Sequence, residues 1–149
     1  MSHSPAHSIN ILFIAAEADP FIKVGGLGDY SGSLPLALRN LPPELIHNYK
    51  IDIRLVIPFH GKISAKKLGV EFLTKFLIYE KCKSAIVKVY FTQIDGLPVY
   101  LISRNRRENN SAPIYSEKPF QNSRKYAFFS VACLELLKHL NWKADLHFS

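Results

Sequence analysis

The feature that most constrains the fold is the order of three adjoining segments near the N-terminus. INILFIAA, from Ile9 to Ala16, is a nearly continuous apolar run, typical of a strand buried on both faces of a parallel sheet. A polar loop broken by Pro20 follows, and Leu27 to Leu41 then carries apolar residues at nearly helical spacing. A strand, a loop and a helix in this order predict the first unit of an α/β fold.

The predicted first helix contains Pro35, which lacks the amide that would bond the Ser31 carbonyl. This proline predicts a kink or a late start of the helix. Asp29 falls in the first turn, where a carboxylate favours the helix dipole.

The rest of the chain continues the alternation of strands and helices. Asp95-Gly96 is a turn signal that predicts a hairpin. The remaining predicted elements are strands at 51–58, 72–79, 84–92 and 97–102, a helix at 122–140, and a last strand beginning in ADLHF. This order predicts a doubly wound, mostly parallel, Rossmann-like sheet over residues 9–149, after a polar tail at 1–8.

The composition narrows the class of protein. A chain of 149 residues, 48% of them hydrophobic, suits one globular domain, and its net charge of +7 favours anionic partners. That charge does not choose among nucleic acid, anionic lipid and phosphorylated metabolites, and a solvated basic surface explains it equally well. Two cysteines without metal-ligand spacing fit a reducing cytosol, and neither a signal peptide nor a membrane span is expected.

Lys23, Gly25 and Gly26 stand just ahead of the predicted helix N-terminus, an arrangement that suggests a bound anion. The established phosphate motifs do not match. A Walker A loop needs a lysine after its last glycine, and the dinucleotide fingerprint needs a glycine where Ser31 stands. A glycine-rich turn beside a solvated lysine therefore remains an equal alternative from spacing alone.

Longer motifs give a resemblance. The segment ILFIAAEADPFIKVGGLGDYSGSLPLAL resembles the N-terminal signature of bacterial glycogen synthases and plant starch synthases. DIRLVIPFHG, GLPVYLI, IYSEKPFQNSRKYAFFSVACLELL and WKADLHFS resemble later family segments, in the same order. The resemblance covers Ile9 to Ser149. It departs at Tyr30, where valine is usual, at Ser103, where aspartate is common, and at Lys125-Tyr126, which replaces Arg-Phe.

The resemblance implies a partial N-terminal domain of a two-domain GT-B glycosyltransferase. Such enzymes transfer glucose from ADP-glucose to the non-reducing end of an α-1,4-glucan with retention, and they need no metal or other cofactor. The sequence ends before the family's catalytic histidine motif and its second domain. The resemblance therefore implies a bacterial, cytoplasmic fragment that is inactive alone and is prone to self-association. Whether the donor is ADP-glucose or UDP-glucose stays open.

The resemblance also implies roles for single residues. Lys23 and the amides of Gly25 and Gly26 would bind the donor's phosphates. Asp29 would face the glucan, with a role at the helix dipole as the alternative.

Three further residues receive an implied role in substrate binding. Tyr115 would pack on a sugar face or simply cover the sheet edge. Asn122 would bond a sugar hydroxyl or, as the stronger expectation, cap the second helix. Glu17 would stand in the cleft or bond loop amides.

The long loop before the second helix carries Arg104, Arg106 and Arg107, and a solvated loop is expected there rather than a nucleic-acid site. A free-standing nucleotide- or phosphate-binding domain and a basic RNA-binding domain are the competing function classes. We expect neither nucleic acid nor a membrane as partner.

Overall fold

A computed structural model describes residues 7–80, 83–104 and 119–149. Within these described residues, six strands form one sheet, with a helix on each face. The strands are β1 (Ser8–Ile14), β2 (Lys50–Pro58), β3 (Glu71–Glu80), β4 (Lys83–Ile94), β5 (Leu97–Arg104) and β6 (Leu146–Phe148); the helices are α1 (Gly26–Arg39) and α2 (Pro119–His139). Each predicted strand and helix is present, with ends that differ by a few residues.

The sheet is mixed but mostly parallel, as predicted. Its strand order is β3-β4-β5-β2-β1-β6. The pairs β1–β2, β1–β6 and β2–β5 are parallel, whereas β4 runs antiparallel to both β3 and β5.

The antiparallel pairing of β4 and β5 follows from the predicted turn that joins them. Asp95 and Gly96 both have positive φ, at 49° and 78°, as a two-residue type I′ turn requires. Ile94 therefore pairs directly with Leu97, and the predicted hairpin is confirmed.

Two apolar layers cover the sheet, one on each face. Along β1, Ile11 and Phe13 point to the layer that includes α1, whereas Leu12 points to the layer that includes α2. Because successive strand residues face opposite sides, a continuous apolar run serves both layers. This arrangement confirms the doubly wound architecture.

The helix α1 begins at Gly26 and continues past Pro35 to Arg39, so a late start at the proline is wrong. The chain turns into the helix early because the Gly25 carbonyl accepts the Gly28 amide, and the Gly28 carbonyl in turn accepts the amide of Asp19. These bonds fix the first turn well before the proline. Pro35 itself is buried inside the helix span.

The short strand β6 is fastened to β1 by a reciprocal pair of hydrogen bonds. The Asp145 amide donates to the Asn10 carbonyl at 2.8 Å, and the Asn10 amide donates to the Asp145 carboxylate at 2.9 Å. Trp142 Nε1 donates to Asp52 at 2.9 Å, which ties the connection before β6 to β2. Neither described helix is long and apolar enough to cross a membrane.

Candidate functional site

The loop after β1 stands at the point where the winding of the sheet reverses. From β1 the chain reaches its neighbour β2 through α1 on one face, and the other neighbour, β6, is reached from β5 through α2 on the opposite face. Doubly wound sheets bind ligands in the crevice outside the carboxyl ends of the strands at such a point. The 15–25 loop therefore occupies the position where a ligand site is expected.

Backbone hydrogen bonds hold this loop in one conformation. The Ala15 amide donates to the Val56 carbonyl at 3.1 Å, which continues the β1–β2 pairing by one residue. The Ala18 carbonyl then accepts the amides of Phe21 and Ile22, and both Ala18 and Phe21 are buried. The loop is thus packed on the sheet up to the point where Lys23 emerges.

The ammonium of Lys23 lies at the surface and forms an ion pair with the carboxylate of Asp29. The two side chains are 46% and 61% exposed. The hydrogen bond from Lys23 to Asp29 raises the pKa of the lysine above its usual value, so the amine is charged at neutral pH. The structure therefore brings together two of the predicted site residues, and it gives Asp29 a partner that the sequence did not suggest.

Gly25 and Gly26 are open to solvent at the N-terminus of α1. A Cβ atom built at either glycine meets nothing within 4 Å, and no described side chain caps this helix end. Gly25 has extended backbone angles, so neither strain nor packing calls for glycine there. The absence of a side chain leaves the backbone free for close approach by an anion.

Gly28 and Gly32, by contrast, have a packing role inside the protein. A Cβ at Gly28 would lie 3.0–3.1 Å from the Lys23 backbone and side-chain stem, and one at Gly32 would overlap the Asp19 carbonyl. These two glycines let the helix approach the loop that carries Lys23.

Glu17 is buried, with 2% of its surface exposed, and its carboxylate accepts the Val24 amide. This is the loop-amide bond that was one of the two expectations for Glu17. The carboxylate closes the loop by joining its start to the residue that follows Lys23.

The remaining predicted site residues are further from this cluster in sequence. The helix α2 begins at Pro119, so Asn122 is its fourth residue and the capping interpretation is wrong. A proline suits the first helical position because it needs no amide partner there. Tyr115, Arg106 and Arg107 lie outside the described residues. Arg104, at the end of β5, places its guanidinium over the Phe128 ring at 4.7 Å.

Sequence reasoning missed His60, which follows the carboxyl end of β2. The residue is 4% exposed, with Nε2 3.0 Å from the Ala16 carbonyl and Nδ1 3.5 Å from Lys125 Nζ. Burial lowers the pKa of His60, and the nearby positive charge of Lys125 lowers it further. Its position just after a strand that ends in proline was the only signal in the sequence.

The assembled site combines features that would suit an anion. They are an exposed ammonium paired with Asp29, a helix N-terminus that no described side chain caps, and two glycines at which an added Cβ would meet nothing within 4 Å. Among the described residues, no group of three or more histidine, cysteine or carboxylate side chains could hold a metal ion.

Comparison with known proteins agrees on one family. The family model for the starch synthase catalytic domain matches residues 10–147. A glycogen synthase of Finegoldia magna is 32% identical over 139 residues, and one of Geotalea uraniireducens is 31% identical over 144 residues. Each match covers 93% of this chain, but the chain spans only 27% and 28% of those two relatives.

A solved starch synthase structure is also similar to this chain. The catalytic domain of starch synthase IV from Arabidopsis thaliana, bound to ADP and acarbose, superposes with a TM-score of 0.77 at 26% identity. The match covers 94% of this chain and 27% of that one. The fold is thus that of part of the starch synthase catalytic domain, a GT-B glycosyltransferase.

Proposed function

Because this chain belongs to the starch synthase catalytic domain family, we propose that its β1–α1 loop binds the diphosphate of ADP-glucose. The complete enzyme would transfer glucose, with retention, to the non-reducing end of an α-1,4-glucan. The observation that carries the proposal is the exposed ammonium of Lys23 beside the open N-terminus of α1. The chain spans about 27% of its relatives, so the activity of the whole enzyme belongs to this proposal.

The chemistry of glucosyl transfer explains why such a loop is useful. The diphosphate leaving group gains negative charge as its bond to the sugar breaks, and fixed donors aimed at that charge stabilise the transition state. Lys23 would supply a full positive charge, and the amides at Gly25 and Gly26 would supply dipoles. In this proposal these donors neutralise the diphosphate without a metal ion.

The buried part of the loop would keep these donors in place. Glu17 holds the Val24 amide, and the Gly28 carbonyl holds the Asp19 amide, so the backbone on either side of Lys23 is fixed before a ligand arrives. Donors that need no rearrangement at the moment of reaction stabilise charge most effectively.

The substrates are supported by the solved neighbour, whose structure contains ADP and acarbose. Asp29 and Asn122 remain candidates for sugar contacts, and Tyr115 is proposed on the resemblance alone. The proposal includes a cytoplasmic location, which the two-cysteine composition supports.

Binding of ADP to the 149-residue chain tests the proposal directly. Isothermal titration calorimetry should give a saturable ADP isotherm for the natural sequence. Lys23→Ala should weaken binding by roughly tenfold to a hundredfold, the usual effect of losing a charge-assisted hydrogen bond.

Lys138→Ala is the matched control, because Lys138 is also an exposed lysine paired with one carboxylate, that of Glu135. It should leave the ADP affinity unchanged. Equal losses in the two variants, or no loss in Lys23→Ala, would overturn the role of Lys23. In a complete enzyme carrying this sequence, Lys23→Ala should lower kcat more than it raises the glucan KM.

A further inference from the structure

His60 connects the candidate site to the second helix, and the proposed function does not use it. The imidazole is buried between the start of the β1–α1 loop, through Ala16, and the second turn of α2, through Lys125. Both contacts are long-range in sequence, separated by 44 and 65 residues. A buried polar ring with a partner at each nitrogen fixes the relative position of the two segments it touches.

The two partners together determine which nitrogen carries the proton. A charged ammonium has hydrogens only to donate, so Nδ1, which faces Lys125, must be the nitrogen without a hydrogen. The hydrogen of the neutral ring is then on Nε2, from which it donates to the Ala16 carbonyl at 3.0 Å. Lys125 thus selects the tautomer that holds the loop.

The residue held in this way is next to the working part of the loop. Ala16 immediately precedes Glu17, whose carboxylate holds the amide of Val24, the neighbour of Lys23. A continuous series of hydrogen bonds and one peptide unit therefore runs from α2 through His60 to the residue beside the exposed ammonium.

We propose that His60 is a positioning residue for the β1–α1 loop, acting as the neutral Nε2–H tautomer that Lys125 selects. This inference rests on the proposed function, because the loop it positions is the one assigned to the donor's phosphates. The proposal also gives a role to Lys125, which lies on α2 and contacts Nδ1, the ring nitrogen that does not face the loop.

The charges around the His60 ring determine how its contacts with the loop and with α2 respond to pH. Among the described residues, the groups that face the ring are the Ala16 carbonyl and the Glu17 carboxylate from the loop, and the Lys125 ammonium from α2. Protonation would put a hydrogen on Nδ1 against a cation, so Lys125 would have to move away, whereas the Ala16 carbonyl and the Glu17 carboxylate favour the charged ring. Acid should therefore loosen the contact with α2 first and leave the Ala16 bond until last.

Nuclear magnetic resonance of the 149-residue chain tests the tautomer without any ligand. Long-range proton–nitrogen spectra of the histidine rings should show His60 as the Nε2–H tautomer, titrating below the usual histidine range. Lys125→Met should raise the pKa of His60. A ring protonated at Nδ1, or a pKa unchanged in Lys125→Met, would overturn the proposal.

Substitutions at His60 test its effect on the loop. Glutamine can place an amide nitrogen near the Nε2 position, so His60→Gln should keep the amide shifts of Val24, Gly25 and Gly26 close to their natural values. His60→Leu should shift and broaden these signals. His139→Gln, at the far end of α2, is the matched control and should change none of them.

The expected loss of ADP affinity in His60→Leu is about threefold to tenfold, with recovery in His60→Gln. If His60→Leu fails to fold, the tautomer and the Lys125→Met titration still decide the question. If the amide signals of Val24, Gly25 and Gly26 stay unchanged in both His60 variants, the positioning role is overturned even if ADP binds. If these signals change as expected but ADP does not bind, the positioning role of His60 stands and the proposed ligand is overturned.

Discussion

Lys23 and Asp29 form an ion pair at the candidate site, six residues apart in sequence and joined by the turn at Gly25 and Gly26. Asp29 belongs to the first turn of α1, where its charge also favours the helix dipole. A diphosphate that binds Lys23 must therefore compete with a carboxylate that is part of the same loop–helix unit.

This competition predicts that Asp29→Asn strengthens ADP binding to the 149-residue chain. The gain should be small, about twofold to fivefold, because exposed ion pairs are weak and are screened by salt. Calorimetric titration at two salt concentrations measures it, and the gain should shrink at the higher one. Glu135→Gln, which breaks the exposed pair with Lys138, should have no effect. Weaker ADP binding in Asp29→Asn would mean that the carboxylate contributes to the ligand site.

The glycines of the signature divide into two kinds, and substitution should separate them. Gly32→Ala should destabilise the fold by about 1–3 kcal/mol, because the added methyl group would overlap the Asp19 backbone. Gly25→Ala should change the melting temperature little, since its backbone is extended and nothing lies within 4 Å of the added atom. It should nevertheless weaken ADP binding if a phosphate approaches that backbone.

Thermal melts and ADP titrations of the two alanine variants check these expectations together. Equal stability losses would contradict the division between packing glycines and open glycines. An unchanged ADP affinity in Gly25→Ala would show that the ligand does not approach the backbone at this residue.

The thiol of Cys133 should resist modification in the native protein. Cys133 is fully buried on α2, and burial raises the pKa of its thiol strongly. The pKa of this thiol is therefore higher in the folded than in the unfolded protein. Its contribution to the free energy of unfolding is complete below about pH 8.5 and is lost as the pH rises beyond that value, because the unfolded thiol ionises first. In a Cys82→Ser background, a thiol reagent should label Cys133 only at the rate of unfolding. Rapid labelling of the folded protein would contradict this expectation.

The chain should self-associate through the outer end of its sheet. The edge strand β3 exposes Phe72, Leu77 and Tyr79 on one face, and Leu77 lies opposite the half-exposed Ile86 of β4. Exposed apolar surface beside an unpaired strand edge favours association. Light scattering after size exclusion should show a mass that rises with concentration.

Leu77→Lys should reduce this association, whereas Leu45→Lys should not, because Leu45 is an exposed leucine in the helical turn at Pro43–Ile46, away from the β3 edge. A strictly monomeric chain that melts cooperatively above about 45–65 °C, the range of mesophile domains, would contradict the expectation of a marginal, associating domain.

The 149-residue chain alone should transfer no glucose from ADP-glucose to glycogen. It spans only about a quarter of the length of the relatives it matches, so a complete site for glucosyl transfer is not expected within it. Labelled glucose supplied as ADP-glucose should not appear in glycogen above background. Steady incorporation that Lys23→Ala abolishes would show that this chain carries a complete active site.

Much of this protein is determined by local sequence. The apolar run at Ile9–Ala16 predicted a strand buried on both faces, because only such a strand can place successive apolar side chains in two layers. Asp95-Gly96 predicted the hairpin, because these residues tolerate the positive φ that the turn needs. The spacing of Lys23, Gly25 and Gly26 before a helical pattern predicted a loop that ends at a helix N-terminus, whereas its binding of an anion stays a prediction. All three depend on residues that are neighbours in the chain.

The tertiary structure decided what lies beside that loop. His60 reaches Ala16 and Lys125 only because the strand order places β1 next to β2 and because α2 packs on the opposite face from α1. Asn122 lost its predicted role as a cap because the helix begins at Pro119, a boundary that hydrophobic spacing does not mark. Gly32 is a packing residue because the Asp19 carbonyl of the β1–α1 loop lies where a Cβ atom would stand. Contacts of this kind depend on strand order and crossover geometry, and the periodicity of a single sequence carries no record of them.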